Sequence, residues 1–412
     1  MAEESAEPEV WNDPWEEAWQ EGEEEEEEVI EVEDTVIIID NGSGLCKVGY
    51  STEETPKYIF PEIIGRPRAV WKDKSKQKGQ PLKDFYFGDQ INPQLQSKLA
   101  INYPMENGEI ESFEDMERMW TFIFQEKLKV DQQRYPVLLT EPPYNPTAKR
   151  EKMVEVMFEQ FEVPSLNISI QGVLALLGQG RTTGLVLDSG EGATHCVPIY
   201  DGYGLPHCIN RLDLAGRELN TLMCKLLAME NKCRLTTTEQ QHAARQMKEE
   251  LCYVCQDPSS EEGVAEFKDF RLPNGDNITL QDERWKCPEA LFNPGLVGLE
   301  CAGVAGMVWD SISRCEVDIR KTLMANVVLS GGCTMFPGFS ERLTKELKNY
   351  APVAAQCDIR VLKSKDQISA VWAGGQVFAS LREMQEDLWM SIDDYYEHGA
   401  SLMHEKVAVK YS

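Results

Sequence analysis

The run VIIIDNGSG, Val36–Gly44, is an apolar stretch that ends in an acid and turns through Asp-x-Gly-x-Gly, and the same phrase returns as LVLDSGEG, Leu185–Gly192. A buried strand closing on an acid and a glycine turn can wrap backbone N–H groups around phosphate oxygens while its carboxylate orients a metal's water. The glycines suit such a turn because its backbone takes φ > 0 or approaches a ligand closely. One turn supplies one jaw. Two copies therefore predict a duplicated fold with a phosphate group clamped between its halves.

Composition sets the outer limits. At 412 residues and 42% hydrophobic content the chain can bury a large core, in several domains or one body split by a cleft. Its net charge of −29 is concentrated at one end: Met1–Asp34 holds 17 acidic residues and no Lys or Arg, leaving −12 for the remainder. That balance argues against duplex nucleic acid as the main partner, because nothing offsets phosphate repulsion. No apolar run reaches membrane-spanning length, and the acidic start lacks the basic and apolar regions of a signal peptide, so the cytosol or nucleus is the expected compartment. Twelve cysteines are scattered, with Cys252 and Cys255 the one close pair. Lacking a second pair or two spaced histidines, these predict reduced thiols on an apolar helix face rather than zinc ligands.

Residues 1–34 read as a disordered acidic tail, with six consecutive glutamates, Glu23–Glu28. Trp11, Trp15 and Trp19 are four apart, a spacing that would line one side of a helix and suit docking onto a protein partner or the body of the chain. From Thr35 the pattern is α/β, with ligands expected at the carboxyl ends of strands. A polar loop from Trp71 to Lys83 carries five lysines. Helices are predicted over Met116–Lys127, from Asn145 (as a capping residue) through Met157, and over Gly216–Met229 and Glu239–Val254; Val327–Leu329 reads as a strand stopped by Ser330-Gly331-Gly332.

The longer runs DNGSGLCKVGY, IFPEIIGRPR, PVLLTEPPYNPTAKREKMVEVMFE, GRTTGLVLDSGEGATHCVPIYDGYGLPH, RLDLAGREL, CPEALFNP and VLSGGCTMFPG give the chain a dense resemblance to actin and the actin-related proteins, over most of Val36–His404. The resemblance implies a duplicated ribonuclease-H-like, actin-like ATPase fold: two lobes and four subdomains around a nucleotide cleft. Residues 35–178 with 370–412 would form the first lobe, with a small subdomain near 67–103; 179–369 would form the second, with one near 216–302. It further implies ATP or ADP in the cleft, with Mg2+ or Ca2+ held through water.

By the same resemblance, Ser43, Gly44, Leu45 and Lys47 match the first phosphate turn, and Gly190, Glu191 and Gly192 the second. Asp40 and Asp188 match the acids that orient the cation's water shell. Glu191 stands where the family usually has Asp, an offset of about one methylene, on the order of 1.5 Å. Gln171 and His195 match the pair that positions the attacking water. Gly216, Lys248, Glu249, Gly332 and Phe336 match the nucleoside surroundings, where Phe336, Cys333 and Ile368 replace the usual Tyr, Thr and Lys.

The implied function is a cytoskeletal protein that assembles with itself, actin or dedicated partners and hydrolyses ATP slowly or not at all. The lysine-rich loop after Arg68 replaces a partly apolar one, and the desolvation of its charges weighs against a long actin-like filament. A structural subunit of a chromatin-remodelling, ciliary or sperm assembly remains the alternative, and a metabolic kinase of the same superfamily is disfavoured by the actin-specific runs.

Overall fold

The computed structural model describes residues 35–72, 82–230, 235, 238–272, 275–364, 366–382 and 387–407. The tail with Trp11, Trp15 and Trp19, and most of the lysine-rich loop, lie outside the described residues.

Each Asp-Gly phrase occupies the same place in its own sheet. In the first, the strand Ile37–Asp40 is flanked on one side by Leu45–Tyr50 and Tyr58–Pro61, antiparallel, and on the other by Val137–Glu141 and Ser165–Ile170, parallel. In the second, Gly184–Ser189 has Thr194–Tyr200 and Tyr203–Gly204 antiparallel on one side, and Val327–Ser330 and Val361–Lys363 parallel on the other. Short strands extend this pattern: Met390–Ser391 adds to the first sheet beyond Ser165–Ile170, and Asn210–Leu212 pairs with Thr194–Tyr200 in the second. The duplication read from two short phrases is thus a duplication of whole sheets.

Strands buried on both faces explain the unbroken apolar runs. Ile37, Ile38 and Ile39 are all fully buried. In the second sheet Val186 packs into one core while Leu185 and Leu187 pack into another, the period-2 alternation of a strand covered on both sides. Between the sheets lie the helices Gln171–Leu177 and Ala370–Ser380, which carry the chain from the first sheet to the second and back. They cross closely: a Cβ on Gly374 would fall 1.8 Å from the Leu174 carbonyl oxygen, so only glycine fits. Trp372 on the second helix donates its indole N–H to the Ile38 carbonyl, tying the crossing to the central strand.

Three smaller sheets lie apart from these: Ile64–Pro67 between Tyr86–Phe87 and Leu99–Asn102, the hairpin Lys268–Arg271 with Asn277–Leu280, and the short hairpin Met105–Glu106 with Glu109–Ile110. Gly216–Met229 forms as the sequence predicts. Other helices differ from expectation. Phe113–Phe122 continues as a wider π-helical segment, Ile123–Leu128, and Thr147–Glu155 does the same through Gln160. Asn145 does not cap the latter helix; its amide donates to buried Glu141. Thr238–Leu251 stops before Cys252 and Cys255, so these two sit beyond the helix rather than on its face. Both are buried and free: Cys252 packs into the second core beside Cys287, while Cys255 lies in a satellite cluster with Trp285.

Candidate functional site

Both Asp-Gly turns open into one cleft of about 450 Å³. It is lined by Asp40, Ser43, Gly44, Leu45, Lys47, Gln171, Asp188, Gly190, Glu191, Gly192, His195, Lys248, Glu249, Gly332 and Phe336, fifteen of the sixteen residues singled out from sequence. Gly216 is the exception. It sits directly behind the wall, its N–H donating to the Gly190 carbonyl and its own carbonyl accepting from Lys248 Nζ at 3.1 Å.

The turns touch. A Cβ on Gly44 would lie 2.7 Å from Glu191 Cβ, and one on Gly192 would lie 2.6 Å from Ser43 Oγ. Glycine is required here by the approach of the two corners to each other. Gly190 and Gly332 face open space within 4 Å, so their backbone forms bare cleft wall.

At the first corner, Asp40 ends its strand with one per cent exposure and is saturated with donors. Lys47 Nζ, its partner across the hairpin, lies 2.9 Å from Oδ2. Thr140 donates to Oδ1 at 2.8 Å from the neighbouring parallel strand, and Gln171 Nε2 reaches it at 3.4 Å and the Asn41 carbonyl at 3.1 Å. Burial works against the Lys47 ammonium, but the charges of Asp40 and Asp188 outweigh it and raise the lysine's proton affinity. One ammonium therefore serves both aspartates.

The second corner repeats the backbone with different partners. Asp188 pairs in register with Ser330 on the parallel side and His195 on the antiparallel side. Burial raises its pKa, offset in part by Lys47. His195 is nearly buried and its Nε2 has no hydrogen-bond partner. Burial, aided by the charge of Arg211, pushes its pKa down to about 4, so the imidazole is neutral near pH 7. Directly opposed cross-strand residues share a sheet face, which puts this neutral ring beside Asp188.

Glu191 corrects the expectation of a simple offset of one methylene. Its carboxylate turns back onto the helix that begins at Gly216: Asn220 Nδ2 donates to Oε1 at 3.1 Å and Lys248 Nζ lies 3.9 Å from Oε2. The longer side chain thus finds partners on the helix start.

Several lining residues were not singled out from sequence: Gly108, Arg245, Ser330, Gly331 and Met335. Arg245 was within reach of sequence, because it stands i, i+3 and i, i+4 to Lys248 and Glu249 on one helix; its Nε lies 2.8 Å from Glu249 Oε1. Gly108 was also within reach of sequence as a turn residue, because Asn107-Gly108 is a hairpin dipeptide, but nothing local places that turn at the cleft. Cys333 and Ile368 also line the cleft; Cys333 donates its thiol to the Gly190 carbonyl and burial pushes its pKa up to about 12, so it stays protonated.

Among the described residues no cluster of three or more His, Cys, Asp or Glu forms a metal cage, and no helix is long and apolar enough to cross a membrane. The family model for actin matches residues 31–408, nearly the whole chain, and spans both sheets and both glycine corners. With its mixed α/β, two-lobe architecture, this chain is a member of the actin family.

Proposed function

We propose that the cleft binds ATP or ADP with a divalent cation, Mg2+ or Ca2+, and that the protein acts in the cytoskeleton by assembling with itself, actin or partner proteins, turning ATP over slowly or not at all. The observation that carries this reading is the contact of two glycine corners across one cleft, with Asp40, Asp188 and Lys47 converging between them. Open space beside Gly190 and Gly332 leaves room for an incoming anion, and the buried His195 Nε2, without a partner, is free to bond a water. Two carboxylates lining one cleft, Asp40 and Asp188, suit a hard cation that keeps waters and takes further oxygens from phosphate. When bound, that cation would neutralise charge on the phosphate oxygens.

The chain's own groups divide the remaining work. Lys47, a compact point charge, would hold the phosphates from the first lobe, and the Ser43–Gly44 and Gly190–Gly192 backbones would clamp them. Gln171 and neutral His195 would orient a water, since in-line displacement depends on positioning more than on covalent chemistry. Phe336 supplies an aromatic face for a base. The cytoplasm is the proposed compartment, with the nucleus open to the structural-subunit alternative, and the acidic tail is proposed as a protein-binding arm.

The test is to identify extracted nucleotide in purified protein and to compare phosphate release by wild type and His195→Ala. Bound ATP or ADP, with release lost in the variant but nucleotide retained, is the expected result. Equal turnover in the variant sinks the role of His195, and failure to bind nucleotide sinks the reading as a whole. One observation favours a second reading, a structural subunit with unhydrolysed nucleotide: the Glu191 carboxylate is held by Asn220 and Lys248. Trapped nucleotide with neither phosphate release nor ATP-dependent sedimentation would select it.

A further inference from the structure

The hairpin Met105–Glu106 and Glu109–Ile110 turns through Asn107 and Gly108, both left-handed with φ of 51° and 85°. Its base is anchored in the first core, where Met105 and Ile110 are buried. Its tip lies between the glycine corners: Gly108 N–H donates to Ser43 Oγ at 2.8 Å, and a Cβ on Gly192 would meet Asn107 Cα at 2.9 Å.

Charges on this hairpin reach both lobes. Glu109 Oε2 lies 3.0 Å from Lys149 Nζ, on the helix that follows a first-sheet strand. Its Oε1 lies 3.0 Å from Arg211 Nη1, on the second-sheet strand directly opposite His195. Arg217, at the start of the Gly216–Met229 helix, lies 3.5 Å from Glu106 and stacks over Tyr103, 5.1 Å from the ring centroid.

We propose that this hairpin is an electrostatic clasp holding the lobes closed over the cleft, with Glu109 as the residue both lobes share. The inference rests on the reading of the cleft as a nucleotide site only for its consequence, that opening of the clasp sets the rate of ligand release. An isolated surface ion pair would be too weak for this role. Here one carboxylate, about one-fifth exposed, binds two cations from separate lobes, and a second ion pair and a cation–π contact act in parallel. Separating the lobes would break the Glu109–Arg211 and Glu106–Arg217 pairs and the Arg217–Tyr103 contact, while Lys149 and the Gly108–Ser43 bond hold Glu109 and the hairpin tip in place on the first lobe.

Two measurements test the clasp: dissociation of a fluorescent ATP analogue, and amide hydrogen exchange of the 190–192 and 105–110 turns in the protein without added nucleotide. Glu109→Gln should speed both by about fivefold or more. High salt should speed wild-type release more than that of the variant, which keeps only the Glu106–Arg217 pair. Lys149→Met and Arg211→Met should each accelerate exchange in the wild type and add little in the Glu109→Gln background, since each acts on the clasp through the Glu109 carboxylate. Glu111→Gln, which deletes only Lys149's other partner, should change neither rate. Unchanged exchange in Glu109→Gln, additive effects of the two cation variants, or equal acceleration by Glu111→Gln would each overturn the clasp. If no variant and no wild type binds the analogue, the functional reading fails, and amide exchange still decides the clasp.

Discussion

The two glycine corners share a backbone and differ in how their acids are neutralised. Asp40 meets an ammonium, a hydroxyl and an amide within hydrogen-bond reach. Asp188 relies on the same Lys47 from a distance and keeps a raised pKa. The neighbouring carboxylate on its turn, Glu191, is committed to Asn220 and Lys248. The repeated phrase therefore encodes a repeated scaffold on which charge has been distributed asymmetrically. The first lobe carries the cation, and the second carries a neutral histidine and an underneutralised acid.

The largest expected effect follows from removing that cation. Lys47→Met leaves Asp40 buried and without its ion pair, a loss that typically costs about 3–5 kcal/mol, tempered here by Thr140 and Gln171. ATP affinity should fall about 100-fold or more, because both aspartates lose their counter-charge. Chemical denaturation and nucleotide titration measure the two effects. Glu191→Gln, the matching change at the second corner, should cost only about 1 kcal/mol: the carboxylate is 18% exposed, its ion pair with buried Lys248 is long at 3.9 Å, and the glutamine keeps an acceptor for Asn220. Equal losses at the two sites would mean that the corners are electrostatically equivalent after all.

A second asymmetry lies beneath the first corner. Glu62 is fully buried, its N–H donates to the Gly44 carbonyl, and neither carboxylate oxygen has a hydrogen-bond partner. Burial pushes its pKa up to about 8, against the pull of Cys46 and Lys47. The folded protein thus holds this proton where the unfolded chain, with the ordinary glutamate pKa of 4.5, has released it. The resulting stabilisation is full below pH 4.5 and is lost as pH rises through about 8. By neutral pH the loss amounts to about 3 kcal/mol. Glu62→Gln keeps the neutral shape and should flatten that decline in denaturation measured from acid to mildly alkaline pH. A variant that declines as steeply as wild type would assign the proton elsewhere.

What sequence disclosed and what it hid divide along the same physical line. Apolar run, acid and glycines recur because a covered strand and a tight turn constrain residue type locally, so Asp40, Asp188 and their flanking glycines were legible. The direction of Glu191 was not. It depends on Asn220 and Lys248, brought to the turn only by tertiary folding. Thr140 and Gly108 escaped for the same reason: each reaches the site through a partner, Asp40 or Ser43, far away in sequence. The π-helical ends at Ile123–Leu128 and Val156–Gln160 escaped because a 3.6-residue period does not describe them.

The smallest effect separates glycines that a motif treats alike. Gly190 and Gly192 occupy the same phrase, yet a Cβ at Gly190 meets nothing within 4 Å, whereas one at Gly192 meets Ser43 Oγ at 2.6 Å and the Asn107 backbone at 2.9 Å. Neither has the left-handed φ that would penalise alanine by itself. Gly190→Ala should therefore change stability by no more than about 0.5 kcal/mol. Gly192→Ala must displace the first corner or the hairpin tip, overpacking that costs about 1–3 kcal/mol. Because the obstructing atoms belong to the opposite corner and the hairpin, the strain should also hasten ligand release, which a purely local turn defect would not do. Thermal melts and dissociation of a fluorescent ATP analogue, run on both variants, separate the outcomes: equal melts would show that the corners are not in firm contact, and a lower melt with unchanged release would confine Gly192 to its own turn.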